Sequence, residues 1–205
     1  MPGVFINYRT GDGDATASHV DDKLRRFFGD DNVFRDRRSM TSGTDFPPEL
    51  RRRLENSTVL LVLIGGRWLD IETPDGRRRI DVDGDYVLEE IRCALSWRKV
   101  VIPVLLDNAR LPAVGDLPPD ISDLSSRQQI VLRTPYMHRD LDWLVEEVAR
   151  HIPPAPETTQ EKTGGGPPDD RGGGNYGGTF TRSAVGPKAS YVENPAPRRK
   201  KNRDD

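Results

Sequence analysis

One cysteine, Cys93, and three histidines, His19, His138 and His151, are scattered over 205 residues. A lone thiol excludes an internal disulfide and suits a reducing compartment. Ligands this dispersed do not form the clustered Cys and His set of a zinc site, so no metal is expected. Cys93 has no histidine near it in sequence to act as a base; it reads as a buried spectator thiol. No apolar run approaches the roughly 18 residues of a membrane span, and no charged-then-apolar leader opens the chain. A soluble, cytoplasmic protein without a membrane partner is expected, and no sensor domain is expected ahead of Gly3. The sequence also lacks a GxGxxG after its first apolar run, which argues against a Rossmann dehydrogenase. Its glycine runs, 164–166 and 172–174, follow no strand and lack the Gly-Lys-Ser/Thr ending of a phosphate loop, so they read as linker.

Apolar residues are also scarce, 34% against 31% charged, and the shortage is local. From Pro153 onward lie nine of the 19 glycines and eight of the 17 prolines, with hardly any Leu, Ile or Phe. Such a segment cannot bury enough apolar surface to offset the entropy of ordering it. Residues 1–152 are therefore expected to fold as one domain, and 153–205 to form a disordered Gly/Pro-rich tail. The tail carries nine Lys and Arg against seven Asp and Glu, net +2, leaving 22 against 26, net −4, in the domain. Neither balance suits an electrostatic nucleic-acid partner. The basic run Arg198-Arg199-Lys200-Lys201 has no aromatic interleaving and reads as solvated tail.

What is present is a regular alternation. Residues 3–8 form a first apolar strand, and a polar loop over 9–14 leads to a helix with Val20, Leu24, Phe27 and Phe28 on one face. Residues 32–35 form a short strand, 36–45 a polar loop containing Ser42-Gly43, and Pro47-Pro48 opens a helix lined by Phe46, Leu50 and Leu54. Residues 58–64 are uncharged and rich in Val, Leu and Ile, the pattern of a strand buried on both faces. An irregular stretch over 67–84 precedes a third helix at 85–98. Residues 100–106 form a strand whose Pro103 implies a bulge or an unpaired position. Residues 109–127 read as a loop with a helical turn near Ile121, 129–132 as a last strand, and Leu141, Leu144, Val145, Val148 and Ile152 as a last helix. Five strands alternating with helices imply an α/β, flavodoxin-like, doubly wound parallel sheet of order 2-1-3-4-5 with helices on both faces. Its ligand crevice lies at the carboxyl ends of strands one and three, at Tyr8-Arg9 and Gly65-Gly66.

The third helix carries the candidate chemistry. At about 100° per residue, Val87, Leu88, Ala94 and Leu95 cluster around Ile91 as the buried face. Glu90 falls on the border between core and solvent, with Tyr86 and Trp97 nearby, whereas Glu89 points away. Geometry nominates Glu90 over Glu89, although on spacing alone a salt-bridged surface glutamate is the commoner reading.

The segments GVFINYR, VFRD, GTDF with the following helix and STVLLVLIG, DYVLEEIRCAL and KVVIPVLLD, in that order, resemble the Toll/interleukin receptor (TIR) domain in its bacterial form. The resemblance covers roughly residues 1–152 and implies the same sheet order. In TIR domains that consume NAD, the catalytic acid is a glutamate four residues after an aromatic on this helix, a pattern that Tyr86 and Glu90 match. The resemblance implies substrate contacts at Tyr8 and Arg9 after the first strand, Asp36 after the second, and Phe46 at the end of the loop. Two departures stand out: the aromatic is Tyr86 instead of Trp, and Arg35, Arg37 and Arg38 crowd the loop, to favour a pyrophosphate or to solvate it.

The activity so implied is NAD cleavage to nicotinamide and ADP-ribose, linear or cyclic, in defence or signalling, with NAD as substrate and no cofactor. Self-association through the loop of residues 36–46 is implied as well. The alternative is a non-enzymatic adaptor that recruits other TIR domains through that loop. A response regulator is disfavoured, because no acidic pair follows the first strand and KVVIPVLLD lacks the expected lysine.

Overall fold

The computed structural model describes residues 2–35 and 48–155. Five strands form one all-parallel sheet of order β2-β1-β3-β4-β5: β1 (Val4–Asn7), β2 (Val33–Arg35), β3 (Val59–Ile64), β4 (Val100–Leu106) and β5 (Ile130–Leu132). Four helices connect them, α1 (Asp14–Phe28), α2 (Pro48–Asn56), α3 (Tyr86–Ser96) and α4 (Met137–Ala149), with short 3-10 turns at Asp30–Asn32, Arg79–Asp81, Val114–Asp116, Pro119–Ser126 and Thr134–Tyr136. This is the doubly wound, flavodoxin-like arrangement expected from the alternation of elements.

Strand periodicity decides which helix packs where. Successive side chains point to opposite faces, so Val4 and Ile6 of β1 and Leu61 and Leu63 of β3 join Ala17, Val20, Leu24, Leu144 and Val148 under α1 and α4. Phe5, Leu60, Val62 and Ile64 join Leu50, Leu54, Leu88, Ile91 and Leu124 on the side of α2 and α3. The middle strand β3 is buried at every position, because it has a strand on either side and helices on both faces.

Two local expectations change, and the alternative left open at Pro103 is decided. Phe27 is 43% exposed instead of lining the apolar face of α1. The buried flank is taken by Asp21, whose carboxylate accepts from Arg25 Nε at 2.8 Å and faces Arg35 Nε at 3.5 Å; Phe27 packs edge-on against Phe28. Pro103 makes no bulge: the β3–β4 register runs unbroken through Val62↔Pro103 and Leu63↔Val104. Pairing of β4 with β5 starts only at Val104, so at Pro103 one side has no strand to donate to. On α3, Val87, Leu95 and Cys93 are half-buried and not core. Desolvation still raises the Cys93 thiol above its ordinary range, which keeps it protonated and unreactive. Of the expected tail, residues 153–205, only 153–155 are described, and there Ala155 N donates to Phe27 O at 3.1 Å; residues 156–205 lie outside the described residues. No helix among the described residues is long and apolar enough to cross a membrane.

Candidate functional site

The apolar run of β1 ends on a polar residue, Asn7, which is nevertheless 1% exposed. A buried amide needs partners, and α3 supplies them: Asn7 Nδ2 donates to Val87 O at 3.0 Å and to Glu90 Oε2 at 2.6 Å. Both partners are acceptors, so the amide nitrogen must face α3 and the orientation of the side chain is fixed by its surroundings. Glu90 is buried, at 5% exposure. The helical reading had set it on the border between core and solvent; the end of β1 covers it. Glu89, by contrast, bonds Arg92 at 2.6 Å on the half-exposed side of the helix. The salt-bridged surface glutamate of this pair is Glu89.

Two residues further along, Arg9 reaches the same helix. Its Nη1 donates to Asp85 Oδ2 at 2.8 Å, with both side chains buried. Asp85 is also the N-cap of α3, accepting from Leu88 N at 3.1 Å. A carboxylate there satisfies an orphan amide and suits the positive end of the helix. The Arg9 guanidinium lies over the Trp68 ring, 5.3 Å from its centroid, and Trp68 is 1% exposed. Arg9, expected as a substrate contact, is therefore committed through one nitrogen to holding the start of α3. Its Nε and Nη2, with Trp68 Nε1 and Asn7 Oδ1, are buried polar atoms without a hydrogen-bond partner among the described residues.

The other expected residues divide. Tyr86 opens α3, half-buried, one turn before Glu90. Tyr8 sits between Asn7 and Arg9 and so turns to the opposite face, where it packs with the α1 and α4 core under the Arg35 guanidinium at 5.9 Å. It is not brought into the cluster around Glu90. Arg35 does not solvate the loop: it donates to Ser18 Oγ at 2.7 Å and lies beside Asp21. Asp36, Phe46 and the loop between them lie outside the described residues. Trp97, placed near Glu90 by helical spacing, instead caps the far end of α3 and receives the cations of Arg51 and Lys99 on its ring.

A second tie crosses the point where the strand order reverses. In the loop after β1, the Asp12 carboxylate accepts from Gly65 N at 2.8 Å and Arg67 N at 2.7 Å, just past the end of β3. Desolvation raises the Asp12 carboxyl above its ordinary range, against the pull of those two amides and of the Arg67 and Arg9 charges. Beside this tie lies a cavity of about 270 Å³, bounded by Gly65, Trp68, Leu69, Asn108 and Arg110 at the carboxyl ends of β3 and β4.

Sequence reasoning missed Asn7, Asp85, Trp68 and Asp12. The available signals were a polar residue closing an apolar strand, an aspartate directly before the first turn of a helix, and a tryptophan in an irregular stretch after Gly65-Gly66. None of them says which partner it meets.

A family model described as the TIR domain matches residues 4–145. No curated protein matches. Among solved structures, the chain is similar to the TIR domains in the structure of the activated Roq1 resistosome directly recognizing the pathogen effector XopQ, at 13% identity and a TM-score of 0.50. That likeness covers 72% of this chain and 99% of the other, and at such identity it is one of fold.

Proposed function

The chain belongs to the TIR domain family, and on that premise we propose that it cleaves NAD to nicotinamide and an ADP-ribose product, linear or cyclic, with Glu90 as the catalytic carboxylate. The observation that carries the reading is the contrast between neighbours: Glu90 is buried against the carboxyl end of β1 with Asn7 on its Oε2, while Glu89 is spent on Arg92. The carboxyl ends of β1 and β3 are where a sheet of this order takes its ligands.

One carboxylate is enough for this reaction. Most glycosidases need a second, acidic group because an alkoxide leaves poorly. The nicotinamide of NAD is already cationic. When the N-glycosidic bond breaks, its electron pair passes to the ring nitrogen and the base departs neutral, with no proton required. The charge that develops is an oxocarbenium-like ribose, and an anion held in a partly dry cleft stabilises it. Water, or a nucleophile within ADP-ribose itself, then attacks the anomeric carbon and loses a proton. Self-association through residues 36–46, and a role in defence or signalling, belong to the same proposal.

The test is to incubate the purified protein with NAD and separate the products by chromatography. Glu90→Gln keeps shape and removes the charge, and should lower the rate by about 10²–10³, or roughly 3–4 kcal/mol. Glu89→Gln should leave the rate near parental and change stability by no more than ~0.5 kcal/mol. Equal rates in parent and Glu90→Gln, or no nicotinamide from the concentrated parent, would transfer the protein to the adaptor reading.

A further inference from the structure

We propose that Asn7 is the positioning residue for Glu90, a bracket on the end of β1 that holds the carboxylate at one place and one angle. The catalytic half of this proposal rests on the reading of Glu90 above. The Asn7 amide nitrogen has two hydrogens, and α3 takes both: Val87 O receives one at 3.0 Å and Glu90 Oε2 the other at 2.6 Å. Val87 and Glu90 are three residues apart and so share a face of the helix. One side chain therefore grips a fixed point of the backbone and the mobile end of the glutamate together. With Asn7 at 1% and Glu90 at 5% exposure, bulk water does not compete for these bonds.

Chemistry restricts what else could stand at position 7. A glutamate side chain has three rotatable bonds, and freezing them costs free energy that folding has already supplied when the carboxylate is bracketed in advance. Aspartate has no donor and would set a second anion against the first. Leucine has the length without the donors. Neighbouring Ile6 and Tyr8 pack on the other face of the sheet, so the strand offers no substitute.

Steady-state kinetics with NAD on Asn7→Leu, Glu90→Gln and the double variant tests the role, with thermal unfolding of each. Asn7→Leu should unfold cooperatively and keep KM near parental while kcat falls by up to about 100-fold, the usual effect of a misplaced catalytic group. In the Glu90→Gln background the same change should cost nothing further, because a group that acts through another has no effect once that other is gone. Parental kcat in folded Asn7→Leu, or losses that multiply in the double variant, would overturn the proposal. A second pair keeps it decidable whether or not Asn7→Leu folds. Asn7→Asp should lower Tm at neutral pH, and Asn7→Asp with Glu90→Gln, which exchanges donor and acceptor across the contact with position 90 but still leaves Val87 O without its donor, should recover part of that loss without recovering turnover. An exchanged pair no more stable than Asn7→Asp alone overturns the bracket. Should Glu90→Gln itself cleave NAD at the parental rate, the functional reading fails, and the exchange of Tm still decides whether Asn7 holds Glu90.

Discussion

Two adjacent glycines give a matched pair for testing the tie across the crevice. A Cβ at Gly65 would stand 2.3 Å from Asp12 O and 2.6 Å from Asp12 Oδ1, whereas one at Gly66 would meet nothing within 4 Å. The loop after β1 must back away to admit the methyl group of Gly65→Ala. Doing so stretches the two bonds that Asp12 accepts from Gly65 N and Arg67 N. Hydrogen bonds to a charged group contribute about 1.5–3 kcal/mol each, and overpacking costs about 1–3 kcal/mol. With partial relaxation, Gly65→Ala should lose about 3–5 kcal/mol, a large part of the stability of an ordinary domain. Gly66→Ala should be neutral or gain up to about 1 kcal/mol from a stiffer unfolded chain. Urea unfolding followed by tryptophan fluorescence measures both, since Trp68 is buried nearby. Asp12→Ala removes the carboxylate but not the backbone oxygen at 2.3 Å, so Gly65→Ala with Asp12→Ala should remain destabilised. If Gly65→Ala and Gly66→Ala unfold at the same urea concentration, or the double variant recovers parental stability, the close approach is not what holds this loop.

Asp85→Ala should cost about 3–5 kcal/mol in urea unfolding, because it strands the buried Arg9 charge as well as uncapping α3. Arg9→Met with Asp85→Leu should be more stable than either single change, and an additive loss would refute the pairing. The Arg133 guanidinium, with the Arg133 amide, holds the Asp140 carboxyl below its ordinary range. Its contribution is therefore present above the unfolded value, about pH 4, and is lost as pH falls through the lower folded value. The stability gap between parent and Asp140→Asn should close in that acid window, and a gap that widens there would contradict the assignment.

The parts of the fold that were legible are those whose cause is local. Seven uncharged residues between polar neighbours announce β3, and a helical period of apolar residues announces α1, α3 and α4. The choice of Glu90 over Glu89 came from the same period. What was not legible depends on distant partners. Phe27 yielded the flank of α1 to Asp21 because Arg35, on the next strand, faces that carboxylate. Pro103 fits without a bulge because β5 is three residues long, which nothing near Pro103 foretells. Trp97 left the neighbourhood of Glu90 for the cations of Arg51 and Lys99, of which only Lys99 is close in sequence. The bonds of the candidate site join residues 76 to 83 positions apart, so no local pattern could pair them.

Those same bonds explain why the polar cluster sits where it does. The later part of α3 packs through Ile91 and Ala94 into the apolar core, as any helix on a sheet does. Its first turns are instead pinned to the end of β1 by an amide on Glu90 and Val87 and by an ion pair between Arg9 and Asp85. For stability alone this is a poor choice, since well-packed apolar residues in place of a buried ion pair are often better by about 1–4 kcal/mol. The atoms of Arg9, Asn7 and Trp68 that find no partner among the described residues add to the cost. Sequences depart from the most stable packing chiefly where a site has to be built. On this face of the sheet the departure lies at the carboxyl end of β1 and the helix that crosses it, and the mid-sheet positions Phe5, Leu60 and Val62 on the same face are wholly apolar and buried. A helix docked by polar contacts at one end and apolar contacts at the other keeps its carboxylate in register with the strand end, and that register is what the proposed reaction at the mouth of the sheet would require.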